Sequence, residues 1–134
     1  MIQQNVIVEI TGTNDGEITF SSAKGLLIQG EDFDTVSYEE KTDDEGSVKT
    51  DILIGPEKVS IKKSGDVMSE MIFEAGKKFS SKYVTPYGVF PMEIVTKNLI
   101  IYKEEKISAS IDYLLVFGGA DNNCNVKIEI TKEV

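Results

Sequence analysis

Chemistry needs a nucleophile, a base or a set of metal ligands, and this chain of 134 residues offers few of them. It has no His and no Trp, and every basic side chain is Lys, with no Arg. Without His the commonest general base, metal ligand and near-neutral pH switch are missing. Without Arg there is no planar fork to grip carboxylate or phosphate through two hydrogen bonds at once. Cys124, in "DNNCN", is the one thiol, so no internal disulfide and no cysteine-based zinc site can form. A thiol becomes a nucleophile when a neighbouring base or cation lowers its pKa. With no His to do so, Cys124 reads as a structural thiol in a turn between two strands.

Carboxylates are plentiful but poorly arranged. "EDFD" (Glu31, Asp32, Asp34) and "EEKTDDE" (Glu39, Glu40, Asp43, Asp44, Glu45) do not follow the spacing of a calcium loop. They read as solvated turns, with weak divalent binding at Asp43–Glu45 as the alternative. A glycoside hydrolase could work with two carboxylates and no His. Glu70, Glu74 and Glu93 are the candidates, yet Glu93 alternates with Met92 and Ile94 and so faces away from them. "GGAD" lacks the spacing of a phosphate-binding loop, and nothing matches a dinucleotide fingerprint. No catalytic residue, metal site or cofactor site is assigned, and the chain reads as non-enzymatic.

What remains is aromatic. Tyr38, Tyr83 and Tyr113 lie in strand-like runs, as do Phe73, Phe90 and Met92. Such residues either fill a core or line a cavity for one ligand. A buried phenol needs a hydrogen-bond partner. If the three hydroxyls converge, Tyr38, Tyr83, Met92 and Tyr113 form a binding site for a small amphipathic molecule; if each bonds nearby backbone, they are structural.

The elements that would position these residues have a period of two. Val6, Val8 and Ile10 alternate with Ile7, Glu9 and Thr11. Ile107, Ala109, Ile111, Tyr113, Leu115 and Phe117 form one row, and Val126, Ile128 and Ile130 another. Each is the mark of a strand with one buried face. Turn chemistry punctuates the runs: "TNDG", "TDDEG", "GPEK", "KSGD", "EAGK", "TPYG" and "GGADNN". The spacing predicts an all-β antiparallel up-and-down meander of about eight to ten strands, closed as a barrel or folded as a sandwich. Residues 1–134 read as one domain. In "TPYG", Pro86 suits the second position of a type I turn and Gly88 a positive φ, which predicts a three-residue hairpin loop pairing Thr85 with Val89 and Tyr83 with Pro91. That register puts Phe79 and Tyr83 on the face opposite Phe90, Met92 and Ile94. "KNLIIYK" (Lys97–Lys103) is apolar at both parities, which implies burial on both faces, inside the fold or against a partner such as a second copy.

The net charge is −9, from 14 basic and 23 acidic residues, and the lysines are scattered. A nucleic-acid binder needs a basic face, so nucleic acid and anionic membrane surfaces are excluded as partners. No segment has the roughly 18 apolar residues of a membrane helix. "MIQQNVIVEI" lacks the pattern of a signal peptide, which predicts a cytoplasmic protein.

Taken in order, "VSYEE" (Val36–Glu40), "VSIKKSG" (Val59–Gly65), "MIFEAGKKFSSKYVTPYGVFPMEIVT" (Met71–Thr96) and "SIDYLLVFGG" (Ser110–Gly119) resemble the YwiB-like family of small bacterial proteins, a domain of unknown function. The resemblance runs from about Val36 to Ile130 and is most specific at Tyr83-x-Thr85-Pro86-Tyr87-Gly88. It implies a calycin-like, lipocalin-related β-barrel and no particular activity. The family's Arg near the "KSG" turn is replaced here by Lys62 and Lys63.

Overall fold

The computed structural model describes residues 2–41 and 46–133. Asp43–Glu45, the candidate for weak divalent binding, lies outside the described residues. Among the described residues ten strands follow one another with no helix between them. They are β1 (Ile2–Asn14), β2 (Glu17–Gln29), β3 (Asp34–Lys41), β4 (Ser47–Ile54), β5 (Val59–Gly65), β6 (Ser69–Phe73), β7 (Lys78–Thr85), β8 (Gly88–Lys103), β9 (Ile107–Phe117) and β10 (Ala120–Lys132). All form one antiparallel sheet in the order β6-β5-β4-β3-β2-β1-β10-β9-β8-β7. Sequential strands are therefore neighbours, and β10 returns to pair with β1 through nine residue pairs, Val6–Lys132 to Asn14–Cys124. The sheet is a nearly closed barrel. Its seam is in mid-chain, where β6 and β7 are joined by one bridge, Met68 to Val84, with hydrogen bonds of 2.9 and 2.8 Å.

In such a meander the turns fall alternately at two ends. The β1–β2, β5–β6, β7–β8 and β9–β10 turns share the end called here the mouth. The β2–β3, β4–β5, β6–β7 and β8–β9 turns share the floor. Turn chemistry fixes several of these corners. Asp15 and Gly16 have φ of 48° and 91°, the left-handed pair a two-residue hairpin demands. Gly118 and Gly119 do the same between β9 and β10.

The alternating rows predicted to face inward do so. Val6, Val8, Ile107, Ala109, Ile111, Val126, Ile128 and Ile130 are all buried in one core, with Val36, Ile52, Ile54, Val59, Phe73 and Ile94 completing it from the other strands. Burying a Val, Leu or Ile side chain stabilises by roughly 1.5–3 kcal/mol each, so this interior row sets the register of every strand.

Three expectations are corrected. The β7–β8 hairpin closes at Thr85–Gly88 and pairs Tyr83 with Phe90, one residue away from the expected register. The Thr85 side chain explains the slip: its Oγ1 accepts from the Tyr87 N–H at 3.1 Å and donates to the Gly88 carbonyl at 3.3 Å, holding a two-residue turn. Phe79, Tyr83, Phe90, Met92 and Ile94 consequently share the inner face. Cys124 lies within β10, not in a turn, because the tight Gly118–Gly119 corner lets the strand start at Ala120. Nor does the fold bury both faces of Lys97–Lys103: a bulge between Thr96 and Asn98 switches which parity of β8 looks inward. Past it, Leu99 and Ile101 pack on the core, while Ile100 and Tyr102 face out and stay exposed.

Candidate functional site

The inner wall at the mouth is built from β7, β8 and β9. Alternation along β9 lines up Tyr113, Leu115 and Phe117 on the inside, and the ladder sets Phe117 opposite Met92 and Tyr113 opposite Thr96. Phe117 is the hub. Its ring meets Tyr83 edge-on at 5.8 Å and Phe90 at 6.0 Å, spacings at which aromatic pairs attract. Met92, 5% exposed, sits on the same inner row, and a surface cleft of about 400 Å³ beside it is lined by Pro91, Glu93, Val116, Gly118 and Gly119. The rings are not sealed: Phe90 is 39% exposed, and Tyr87 and Val89 project beyond it at the hairpin tip.

Tyr113 lies deeper. It packs edge-on against Phe73 at 4.9 Å and stands opposite Cys124 on the ladder, whose thiol donates to the Asn122 carbonyl at 3.7 Å. Burial, reinforced by the nearby sulfur, raises its pKa well above the ordinary phenol value. Burial also raises the Cys124 thiol, the opposite of what a nucleophile needs. Tyr38, 5% exposed, stands on β3, where burial and then the charge of Glu40 push its pKa up to about 12. Its neighbour across the ladder is Thr50, whose hydroxyl lowers that pKa slightly yet makes no well-aligned hydrogen bond of its own. Of the four residues predicted to form a site, Tyr83 and Met92 come together around Phe117, and Tyr113 continues their wall inward. Tyr38 stands beside Thr50 and Glu40 on a separate part of the wall.

Sequence reasoning missed two inward hydroxyls. Thr50 and Thr96 are fully buried, and neither Oγ1 has a hydrogen-bond partner. The signal was available: Thr50 stands between Val48 and Ile52 on one parity of β4, and Thr96 continues the row of Met92 and Ile94. It also missed Asp34, a carboxylate in a string read as a solvated turn. Asp34 is 6% exposed, and Lys103 reaches it at 3.3 Å while donating to the Ile54 carbonyl at 3.2 Å. This pair ties β8 to β3 and β4 across the floor.

The carboxylates weighed for hydrolysis do not converge. Glu93 points outward to Lys78 at 3.2 Å, Glu74 pairs with Lys77 at 2.8 Å in the β6–β7 turn, and Glu70 opposes Lys62. A cleft of about 390 Å³ at the seam gathers Lys62, Lys63 and Lys82 with Glu70, open to solvent.

An all-β meander of ten antiparallel strands, rolled inward on an aliphatic core, defines the class: a calycin-like barrel. Residues 4–130 match the family model described as "Domain of unknown function (DUF1934)". The chain belongs to that family, and the match includes the first strands, where the motifs resemble it least. The crystal structure of the ywiB protein from Bacillus subtilis superposes with a TM-score of 0.87 at 22% identity, covering 98% of this chain and 94% of that one. That likeness shares the fold. No curated protein matches the chain. Among the described residues no helix is long and apolar enough to cross a membrane, which says nothing of β-strands.

Proposed function

We propose that the protein is a non-enzymatic binder of a small amphipathic molecule, working in the cytoplasm of a bacterium. The ligand's apolar part rests on Tyr83, Phe90, Met92 and Phe117 at the mouth, with Tyr113 below them and Tyr38 on a separate part of the wall. The observation that carries this reading is the part-exposed ring cluster on an inward face. A barrel serving only as a solid scaffold gains by covering such rings, and here they open toward solvent. The unpartnered hydroxyls of Thr50 and Thr96 add acceptors and donors that a ligand or an ordered water would satisfy.

Native mass spectrometry of protein taken directly from cells tests the reading. The expected spectrum holds a bound small molecule that is lost or weakened about 10-fold in Phe90→Ser, a change at a residue already exposed and so tolerated by the fold. Bare polypeptide alone, under conditions gentle enough to keep a lipocalin-type complex, overturns it.

A second reading has its own support. The core draws on most of the strands, and Ile100 and Tyr102 lie exposed on the outside of β8. These favour a solid barrel acting through an outer face or a homodimer. The same spectrum reports subunit count.

A further inference from the structure

The lysines scattered along the sequence are gathered unevenly in space. Lys24, Lys77, Lys78, Lys103, Lys106 and Lys127 each pair with a carboxylate. Lys62, Lys63 and Lys82 form no salt bridge among the described residues, and all three line the cleft of about 390 Å³ at the β6–β7 seam. Glu70 is the one carboxylate among the described residues of that lining. In a chain of net charge −9 the seam is therefore a locally positive hollow.

The seam also supplies hydrogen-bond donors. Backbone groups of an antiparallel strand point alternately to its two neighbours. Met68 and Val84 exchange both of their bonds across the seam, which aims the backbone groups of Glu70 and Lys82, two residues along from each, into the same gap. No β6–β7 ladder forms there among the described residues, so these N–H groups have no strand partner on that side. The inner face adds hydroxyls. Thr50, Lys63 and Ser69 stand directly opposite one another across β4, β5 and β6, so Lys63 and Ser69 face inward with Thr50. Thr50 is fully buried beside this cation, its Oγ1 unpartnered, where a buried hydroxyl ordinarily finds a partner. Across the gap, Ser81 lines the cleft, lies opposite Met92 and precedes Tyr83 on the inner row of β7. The positive hollow and the aromatic wall meet at Ser81.

We propose that the seam hollow receives the acidic head of the amphipathic ligand, a carboxylate or a phosphate monoester, while the tail lies on the rings beyond Ser81. This rests on the reading of the protein as a binder of an amphipathic molecule, and adds to it the charge and the place of the polar end. Lys63 brings its charge from the inner face, and Lys62 and Lys82 stand at the outer lip. Ser69, Ser81 and the seam N–H groups all can donate. A set of donors around unpaired cations is complementary to a group that only accepts and carries negative charge. A cationic head would add to charges already crowded together, and a neutral one would leave them unneutralised. Glu70 opposes Lys62 on the outer row, so it stands at the lip and not within.

Isothermal titration calorimetry of the full chain with decanoate, decyl phosphate and decanol, each below its aggregation concentration, tests the inference. At least one of the two acids is expected to bind at least about 10-fold tighter than decanol, as hydrogen bonds to a charged group allow, and which acid does so names the head. Lys63→Met keeps the apolar stem and is expected to bring that acid within about 3-fold of decanol, with decanol itself unchanged. Lys82→Met, at an exposed position, is expected to cut the same preference by about 3-fold, and carries the test should Lys63→Met fail to fold. Lys49→Met, exposed on β4 and outside the cleft, is expected to leave the preference intact. Wild type that holds decanol as tightly as both acids, an acid preference that survives both seam variants, or an equal loss in Lys49→Met overturns the seam as the head-group site and leaves amphipathic binding standing. Binding of none of the three probes overturns both.

Discussion

The two ends of the barrel solve the same problem in opposite ways. At the floor, a buried carboxylate and a lysine stretch across the opening, so that Asp34, Lys103 and the Ile54 carbonyl hold three strands together. At the mouth, rings line the rim. The floor fixes the shape and the mouth leaves surface available. A barrel needs only one firmly tied end to keep its strands in register, which frees the other for contact with something else.

The sharpest way to break that contrast is to hollow the tied half. Phe73 is fully buried beside Tyr113, so Phe73→Ala is expected to cost about 3–5 kcal/mol by the transfer and cavity terms for a core aromatic. Urea unfolding of this variant against wild type checks it, and a loss below about 1 kcal/mol would mean the core relaxes freely.

Alkali probes the wall between the ends. The Tyr38 phenol titrates at about 12 in the folded chain and near 10 when unfolded. The unfolded state therefore gives up its proton first. Stability is fully present below pH 10 and falls as pH rises from 10 through 12, by about 2–3 kcal/mol for two units. Tyr113 shifts in the same direction for the same cause. Urea midpoints between pH 9 and 12 should fall more steeply for wild type than for Tyr38→Phe. Equal slopes would remove Tyr38 as the source.

The smallest effect expected is at the tie itself. Lys103→Ala leaves Asp34 buried without its partner and should cost about 2 kcal/mol, below the full range for a broken buried pair because the Lys103 side chain is 35% exposed. Asp34→Leu combined with Lys103→Met should restore most of that, since an apolar pair needs no counter-charge. A single variant with unchanged stability would show that the floor is held by packing alone.

Much of this architecture was legible. The rows of β1, β9 and β10 alternate cleanly because one face of each meets the core, and the Asp-Gly and Gly-Gly corners announce their turns. Glu17–Gln29 offers no such row, because its apolar Ile18 and Phe20 face outward and are exposed, so alternation there points away from the core. The hairpin register at Thr85 turned on one side-chain hydroxyl, which a pattern of hydrophobic residues does not register. For the candidate site, Tyr83 and Met92 fall together because they lie on one hairpin, which local spacing encodes. Tyr38 is separated from Tyr83 by three intervening strands and from Met92 by four, and the distance around a barrel is a property of its closure, not of any short string. Asp34 was hidden for the same reason: its partner Lys103 is 69 residues away (103 minus 34).

The bulge at Lys97 has a further consequence. Because one supernumerary residue switches which parity of β8 looks inward, the strand's two halves obey different reading frames. Loss of the Lys97 codon would leave Thr96 opposite Tyr113 and Asn98 opposite Asp112 in an unbroken ladder, with Leu99 and Ile101 still turned inward. An in-frame deletion of Lys97 should therefore be far less damaging than one of Ile100, after which Ile101 would turn outward and Tyr102 inward.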